Sequence, residues 1–167
     1  MTDTTAGPSS ALARVLERLC RLFAFFGGAV LVALMLMAVY SIVMRYFFNN
    51  PIAGDFELIQ LGCAACVAAF LPYAQLRGSN IIVDFFTTKT SARTQQILDG
   101  IGALSIALVM GLLAWRTSLG ALGVKSAGET SMIMSVPVWY SYALMVPGFA
   151  LTTLVALHSA YNKFKGV

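Results

Sequence analysis

MRYFFNNPIAGDFELIQLGCAACVAAFLPYAQLRGSNIIVDFF, residues 44–86, decides how this chain is built. Asn49-Asn50-Pro51 stops the helix that precedes it, because a residue before proline resists the α region. Asp55 and Glu57 then lead into a charge-free run from Leu58 to Leu76, which Arg77-Gly78-Ser79 closes. A hydrocarbon core about 30 Å thick takes roughly 20 apolar residues in a helix, so this run predicts a membrane span. Residues 81–86 (IIVDFF) are too short to cross anything. They read as a short interfacial segment with Asp84 turned to water.

Working outward, the same pattern recurs. Residues 22–44 lie between Arg21 and Arg45 without a single Asp, Glu, Lys or Arg, and residues 100–115 and 130–162 are likewise uncharged. The chain is 59% hydrophobic and 11% charged, with a mean hydropathy of +0.81, whereas a soluble domain carries about 25% charged residues. The fold class that follows is an all-α integral membrane protein with four transmembrane helices. Spans are expected at about 22–44, 58–76, 96–115 and 137–160, in a single domain over 11–167 after a disordered N-terminus, 1–10. Residues 11–22 (ALARVLERLCRL) form an amphipathic N-terminal segment, with Leu12, Val15, Leu16, Leu19 and Cys20 at helical spacing. It either lies in the interface with its arginines at phosphates or simply extends the first span.

Further features qualify the later spans. Ala103, Ala107 and Gly111 lie four apart, a small-residue stripe suited to tight packing against protein. Residues 117–135 read as a loop of mixed polarity. Pro137 suits the first turn of the fourth span, and Pro147-Gly148 in its middle should kink or loosen it. Basic residues are unevenly shared. Arg14, Arg18, Arg21, Arg77, Lys89, Arg93, Lys163 and Lys165 fall on one side of the spans, and Arg45, Arg116 and Lys125 on the other. That asymmetry predicts cytoplasmic termini at both ends of the chain.

The same distribution bears on function. The net charge of +4 sits beside the spans, so it reads as membrane orientation and not as a nucleic-acid surface. Cys63 and Cys66 are three apart in an apolar helix without a second pair, which reads as packing and not as a redox or zinc site. The one histidine, His158, cannot supply two axial haem ligands. No phosphate-cradling loop, HExxH or GxSxG is present, so neither an enzyme nor a cofactor is expected. No ionisable group lies central in a span, where an ion-coupled carrier places its coupling groups. Charge gathers at the span ends. Asp55 and Glu57 favour the N-terminus of the second helix and, with Arg45, offer a polar surface to a partner. Arg77 and Asp84 are further interface candidates, with snorkelling and a local ion pair as the plain alternatives.

The order and spacing of these elements resemble the small membrane subunit of tripartite ATP-independent periplasmic (TRAP) transporters, the DctQ-like component. The residues are Arg45 ending the first span, Asn49 and Pro51 in the turn, and Glu57 opening the second span. Arg77-Gly78-Ser79-Asn80-Ile81-Ile82-Val83-Asp84 follows, and Val136-Pro137-Val138-Trp139-Tyr140 enters the fourth span. The resemblance covers roughly residues 15–162. Asn80 stands where many members carry histidine, and Ala53-Gly54 replaces a tryptophan-containing turn. The resemblance implies a scaffold in the bacterial inner membrane, surrounded by membrane lipids. It would pair with a large multi-span subunit carrying substrate and sodium sites. A periplasmic solute-binding protein would deliver an organic anion, usually a carboxylate. The interface candidates are then Arg45, Asp55, Glu57, Arg77, Asp84, Ala103, Ala107 and Gly111. Two other readings stay open: a self-sufficient homo-oligomeric transporter, and the membrane anchor of a redox complex.

Overall fold

The computed structural model describes residues 11–78 and 92–165. Asp84, the interfacial segment 81–86 and the N-terminus 1–10 lie outside the described residues. Four helices make up the described chain: α1 (Ala11–Phe48), α2 (Asp55–Leu76), α3 (Ala92–Ala127) and α4 (Trp139–Lys165). All four are long and apolar enough to cross a membrane. The amphipathic N-terminal residues are one helix with the first span, so they extend it without a break.

Local chemistry ends the helices. After Phe48, Asn49 takes a left-handed conformation (φ 50) ahead of Pro51. α3 runs on through residues 117–127, where the sequence predicts a loop. Gly120 and Gly123 cost a helix about 1 kcal/mol each. Packing on α4 outweighs that cost, because Tyr142 lies over Gly120 and Lys125 sits 4.8 Å from the Trp139 ring. The helix stops at Gly128 (φ 66), where Glu129 N–H donates to Val124 O (3.2 Å) and Gly128 N–H to Lys125 O (3.2 Å). That pair of bonds is a Schellman stop, and it needs a residue free to adopt positive φ. Pro137 is not in the first turn of α4. It precedes that turn and pairs with Thr130 in an isolated antiparallel bridge.

The helices stand in a row, α1–α2–α4–α3. α1 and α2 are antiparallel, with Gly27 against Ala69, Gly62 against Leu34, and Ser41 bonded to Asp55. α2 and α4 are parallel, with Ser141 bonded to Leu61 and Gly148 against Ala68. α3 packs on α4 alone, antiparallel, with Gly111 beside Thr153 and Asp99 bonded to Lys163. α1 meets α4 through Cys20, which is buried with Leu151 and Val155 under Leu16, Phe23, Tyr73 and Leu76. One end of the row carries the 49–54 turn and the 128–138 hairpin; the other carries Arg77 and Lys163. They are called here the hairpin end and the basic end.

This order corrects the expected use of the small-residue stripe. Ala103 and Ala107 are each 3% exposed, and they are buried against α4 of the same chain, not left as a face for a second protein. Their size lets the two backbones approach. Ala107→Leu should therefore cost about 1–3 kcal/mol by overpacking the α3–α4 contact. Leu108→Phe, at a position 71% exposed, should change stability little. Unfolding in detergent, followed by circular dichroism, measures both, and equal midpoints would refute the packing.

Pro147 does not interrupt α4, which is helical on both sides of it. Gly148 is buried against α2, and a β-carbon there would lie 2.7 Å from the Ala68 carbonyl carbon. Thr152, itself buried, returns its hydroxyl to Gly148 O (2.8 Å). The mid-span irregularity is thus filled by a helix–helix contact.

Candidate functional site

Polar chemistry collects at the hairpin end, in two separate groups. The first joins α1 to the turn before α2. Ser41 is fully buried, and its hydroxyl donates to Asp55 Oδ2 (2.6 Å) while accepting from Ile52 N–H (3.3 Å). The other Asp55 oxygen accepts the Phe56 N–H (2.8 Å). Arg45 Nη2 lies 3.8 Å from Asp55 Oδ2, but the guanidinium is mostly in solvent. The pair is therefore loose. The Ser41–Asp55 bond, which closes the turn, is the tight member of the group.

The second group is built on Glu57. Its carboxylate accepts Ile133 N–H (3.1 and 3.3 Å to its two oxygens) and Met134 N–H (3.3 Å). The hairpin itself is closed by Ser131 N–H to Val136 O (2.9 Å) and Val138 N–H to Glu129 O (3.2 Å). Gly54 packs on the Met134 side chain. A carboxylate on α2 thus fixes the tip of a hairpin between α3 and α4, and the tip holds Met132 outward, 98% exposed, beside exposed Ile133. Exposed Tyr46, Phe47, Phe48 and Phe56 complete an apolar rim at the same end.

The interface candidates are therefore dispersed. Arg45 and Asp55 come together, while Glu57 turns to the hairpin. Arg77 is at the basic end, donating from Nε and Nη2 to the Tyr73 hydroxyl (3.1 and 2.9 Å). The Tyr73 hydroxyl and, after it, the Glu17 carboxylate push the Arg77 pKa further up. Ala103, Ala107 and Gly111 are inside the α3–α4 contact, and Asp84 lies outside the described residues. Sequence reasoning passes over Ser41, Ser141 and the Asp99–Lys163 pair (2.5 Å), and it reads Gly148 as part of a kink and not as a contact. Ser41 and Ser141 are single uncharged hydroxyls in apolar, aromatic stretches and carry no signal. Asp99 and Lys163 do carry one, as the last charge before the run 100–115 and the first after the run 130–162.

None of these groups has the geometry of a reaction centre. Among the described residues no cluster of three His, Cys, Asp or Glu could hold a metal ion. The arrangement sets the shape of one end of the bundle. The sequence model of the family described as "Tripartite ATP-independent periplasmic transporters, DctQ component" matches residues 34–166. No curated protein and no solved structure matches the chain.

Proposed function

This chain belongs to the DctQ component family of tripartite ATP-independent periplasmic transporters, and on that premise we propose that it is a scaffold without a transport path of its own. A large multi-span subunit pairs with it and carries the substrate and sodium sites. A periplasmic solute-binding protein delivers an organic anion, a carboxylate, to the hairpin end. The membrane is the bacterial inner membrane, both termini are cytoplasmic, and the hairpin end faces the periplasm.

The observation that carries this reading is the combination of a row of helices with long uncharged runs. In a row, α3 packs on α4 alone and α1 on α2, with only the contact around Cys20 reaching α4, so both keep broad apolar faces for lipid and for another protein. The runs 22–44, 58–76, 100–115 and 130–162 contain no Asp, Glu, Lys or Arg, and ion-coupled transport normally relies on ionisable or broken-helix groups near the midplane. At the hairpin end, Asp55 and Glu57 are occupied by internal hydrogen bonds. They shape the docking face, while Arg45, Met132 and Ile133 meet the partner.

Purified small subunit in liposomes should give no sodium-driven uptake of organic acids. Adding the large subunit and the binding protein should give uptake that depends on all three. Uptake by the small subunit alone would overturn the scaffold reading and favour the self-sufficient transporter.

A further inference from the structure

We propose that the row of helices sits inclined in the bilayer, at roughly 35° to the membrane normal, so that lipid covers an oblique belt of its surface. The contacts between neighbours fix their register. Gly27 lies against Ala69, Gly62 against Leu34, Gly148 against Ala68, and Gly111 beside Thr153. Each uncharged run has a middle: Ala33 in α1 (run 22–44), Val67 in α2 (run 58–76) and residues 107–108 in α3 (run 100–115). For 139–162, the part of the last run that α4 contains, it is residues 150–151. Carried across the contacts onto the numbering of α2, the middles fall at about 63 for α1, 67 for α2, 70 for α4 and 76 for α3. They climb in one direction, toward the basic end, by about four residues per neighbour. A helix rises 1.5 Å per residue and neighbours lie 8–10 Å apart, so each step is about 6 Å along for about 9 Å across.

Arg116 makes the offset costly to leave in place. Between the Gly111–Thr153 and Gly120–Tyr142 contacts it is level with Pro147, and Gly148 on Ala68 makes that the level of Val67. Were α2 to stand along the normal, exposed Arg116 would lie at the midplane, with no ion pair among the described residues. A lone charge at the bilayer centre is expensive, and charges found at that depth pair or face a cavity. Inclining the row removes the conflict. α3 sinks toward the basic end until Arg116 closes its run at the hairpin-side surface, as Arg45 closes that of α1. Arg21, Arg77 and Asp99 keep to the opposite surface. The inclination is thus set by interfacial anchors and packing register, and not by hydrophobic length. The inclined runs rise about 20–30 Å across the normal, and the arginines at their ends snorkel over the rest of a core about 30 Å thick. Residues 117–127 of α3, with Lys125 and Trp139, then stand beyond the hydrocarbon. The docking face of the proposed function gains a raised α3–α4 corner, but the inclination itself rests on register and charge alone.

A spin label reads its own depth through collisions with oxygen, which concentrates in hydrocarbon, and with a water-soluble nickel chelate. The full chain is placed in phospholipid vesicles in a Cys63→Ala background, which leaves only the buried Cys20 and Cys66. One label at a time replaces Leu108, Leu112, Leu119 or Leu122, all exposed on α3. The oxygen-to-nickel ratio should be highest at Leu108 and fall through Leu112 and Leu119 to its lowest value at Leu122. An upright bundle shifts the maximum by about eight residues along α3, or about 12 Å. Leu112 and Leu119 would then be deepest and Leu108 shallowest, and that order would overturn the proposal. Polarised infrared spectroscopy of the unlabelled chain in oriented bilayers guards against a label that disturbs packing. The mean helix angle should be near 35°, where membrane helices average about 20°. A mean at or below that average would overturn the inclination as well.

Discussion

Gly148→Ala should destabilise the protein by about 3 kcal/mol, near the upper end for overpacking, lowering the thermal midpoint by roughly 10 °C. A methyl at position 148 would run into the Ala68 carbonyl of α2, whose carbon is 2.7 Å from the β-carbon site. The obstacle is backbone, so no rotamer change relieves it and the helices must separate. Pro72, buried one turn further along α2, explains the identity of that carbonyl. Proline has no N–H to donate to the carbonyl four residues back, so Ala68 O lacks its usual helical donor. The Gly148 Cα–H faces it, a weak hydrogen bond of about 0.5–1 kcal/mol that only a glycine can bring this close. Separation would also strain the Ser141 to Leu61 bond (2.7 Å), the other polar link between α2 and α4. Gly102→Ala is the matched control. It has nothing within 4 Å of the added carbon and should gain up to about 1 kcal/mol from helix propensity. Unfolding in detergent compares the two. Equal midpoints for both variants and wild type would show that α2 and α4 do not meet at backbone distance.

Glu57→Ala should leave the four helices in place and release the hairpin tip. The amides of Ile133 and Met134 should then exchange with solvent roughly tenfold faster, the low end of what hydrogen bonds to a charged group contribute. Uptake per assembled complex should fall with it, because Met132 and Ile133 are no longer presented in one place. Salt separates this account from a simple charge at a docking rim. Rim charges steer encounter and are screened, so a charge role predicts an effect that fades at high salt and is larger for Glu57→Lys than for Glu57→Gln. A hairpin anchor predicts defects in Glu57→Gln and Glu57→Ala that persist at high salt, since an amide offers one acceptor oxygen where two are used. Wild-type exchange rates at Ile133 and Met134 in Glu57→Ala would refute the anchor.

Glu57 also shows how far a sequence reaches in such a chain. Its place at the opening of a span, beside Asp55, is visible from the charge pattern. Its hydrogen-bond partners are 76 and 77 residues away in a segment with no charge or periodicity to mark it. Read alone, Glu57 is a helix-end acid or a surface charge. The hairpin that it fixes is a product of how α4 lies along α2. The Ala103–Ala107–Gly111 stripe is a parallel case: its smallness predicts close packing, and the sequence does not name the neighbour.

What the sequence determined by itself is the part governed by local composition. Uncharged runs of bilayer length specify helices that cross, because an unpaired backbone group in hydrocarbon costs several kcal/mol and a helix pairs them internally. Asn49-Asn50-Pro51 marks a helix end for equally local reasons, as does the change to charged residues at Arg77. The family signature lies in the same local features. What only the tertiary structure decided is adjacency: the row α1–α2–α4–α3, the burial of Gly148 on Ala68, the stripe turned to α4, and Glu57 on the hairpin. The physical reason is the solvent. In water a buried face is apolar and an exposed one polar, so the pattern along a helix points to the core. In a bilayer the lipid is as apolar as the protein interior, and every face of α1 or α3 satisfies it. Which faces meet protein is then settled by steric fit and a few hydrogen bonds between helices, and those depend on register across tens of residues.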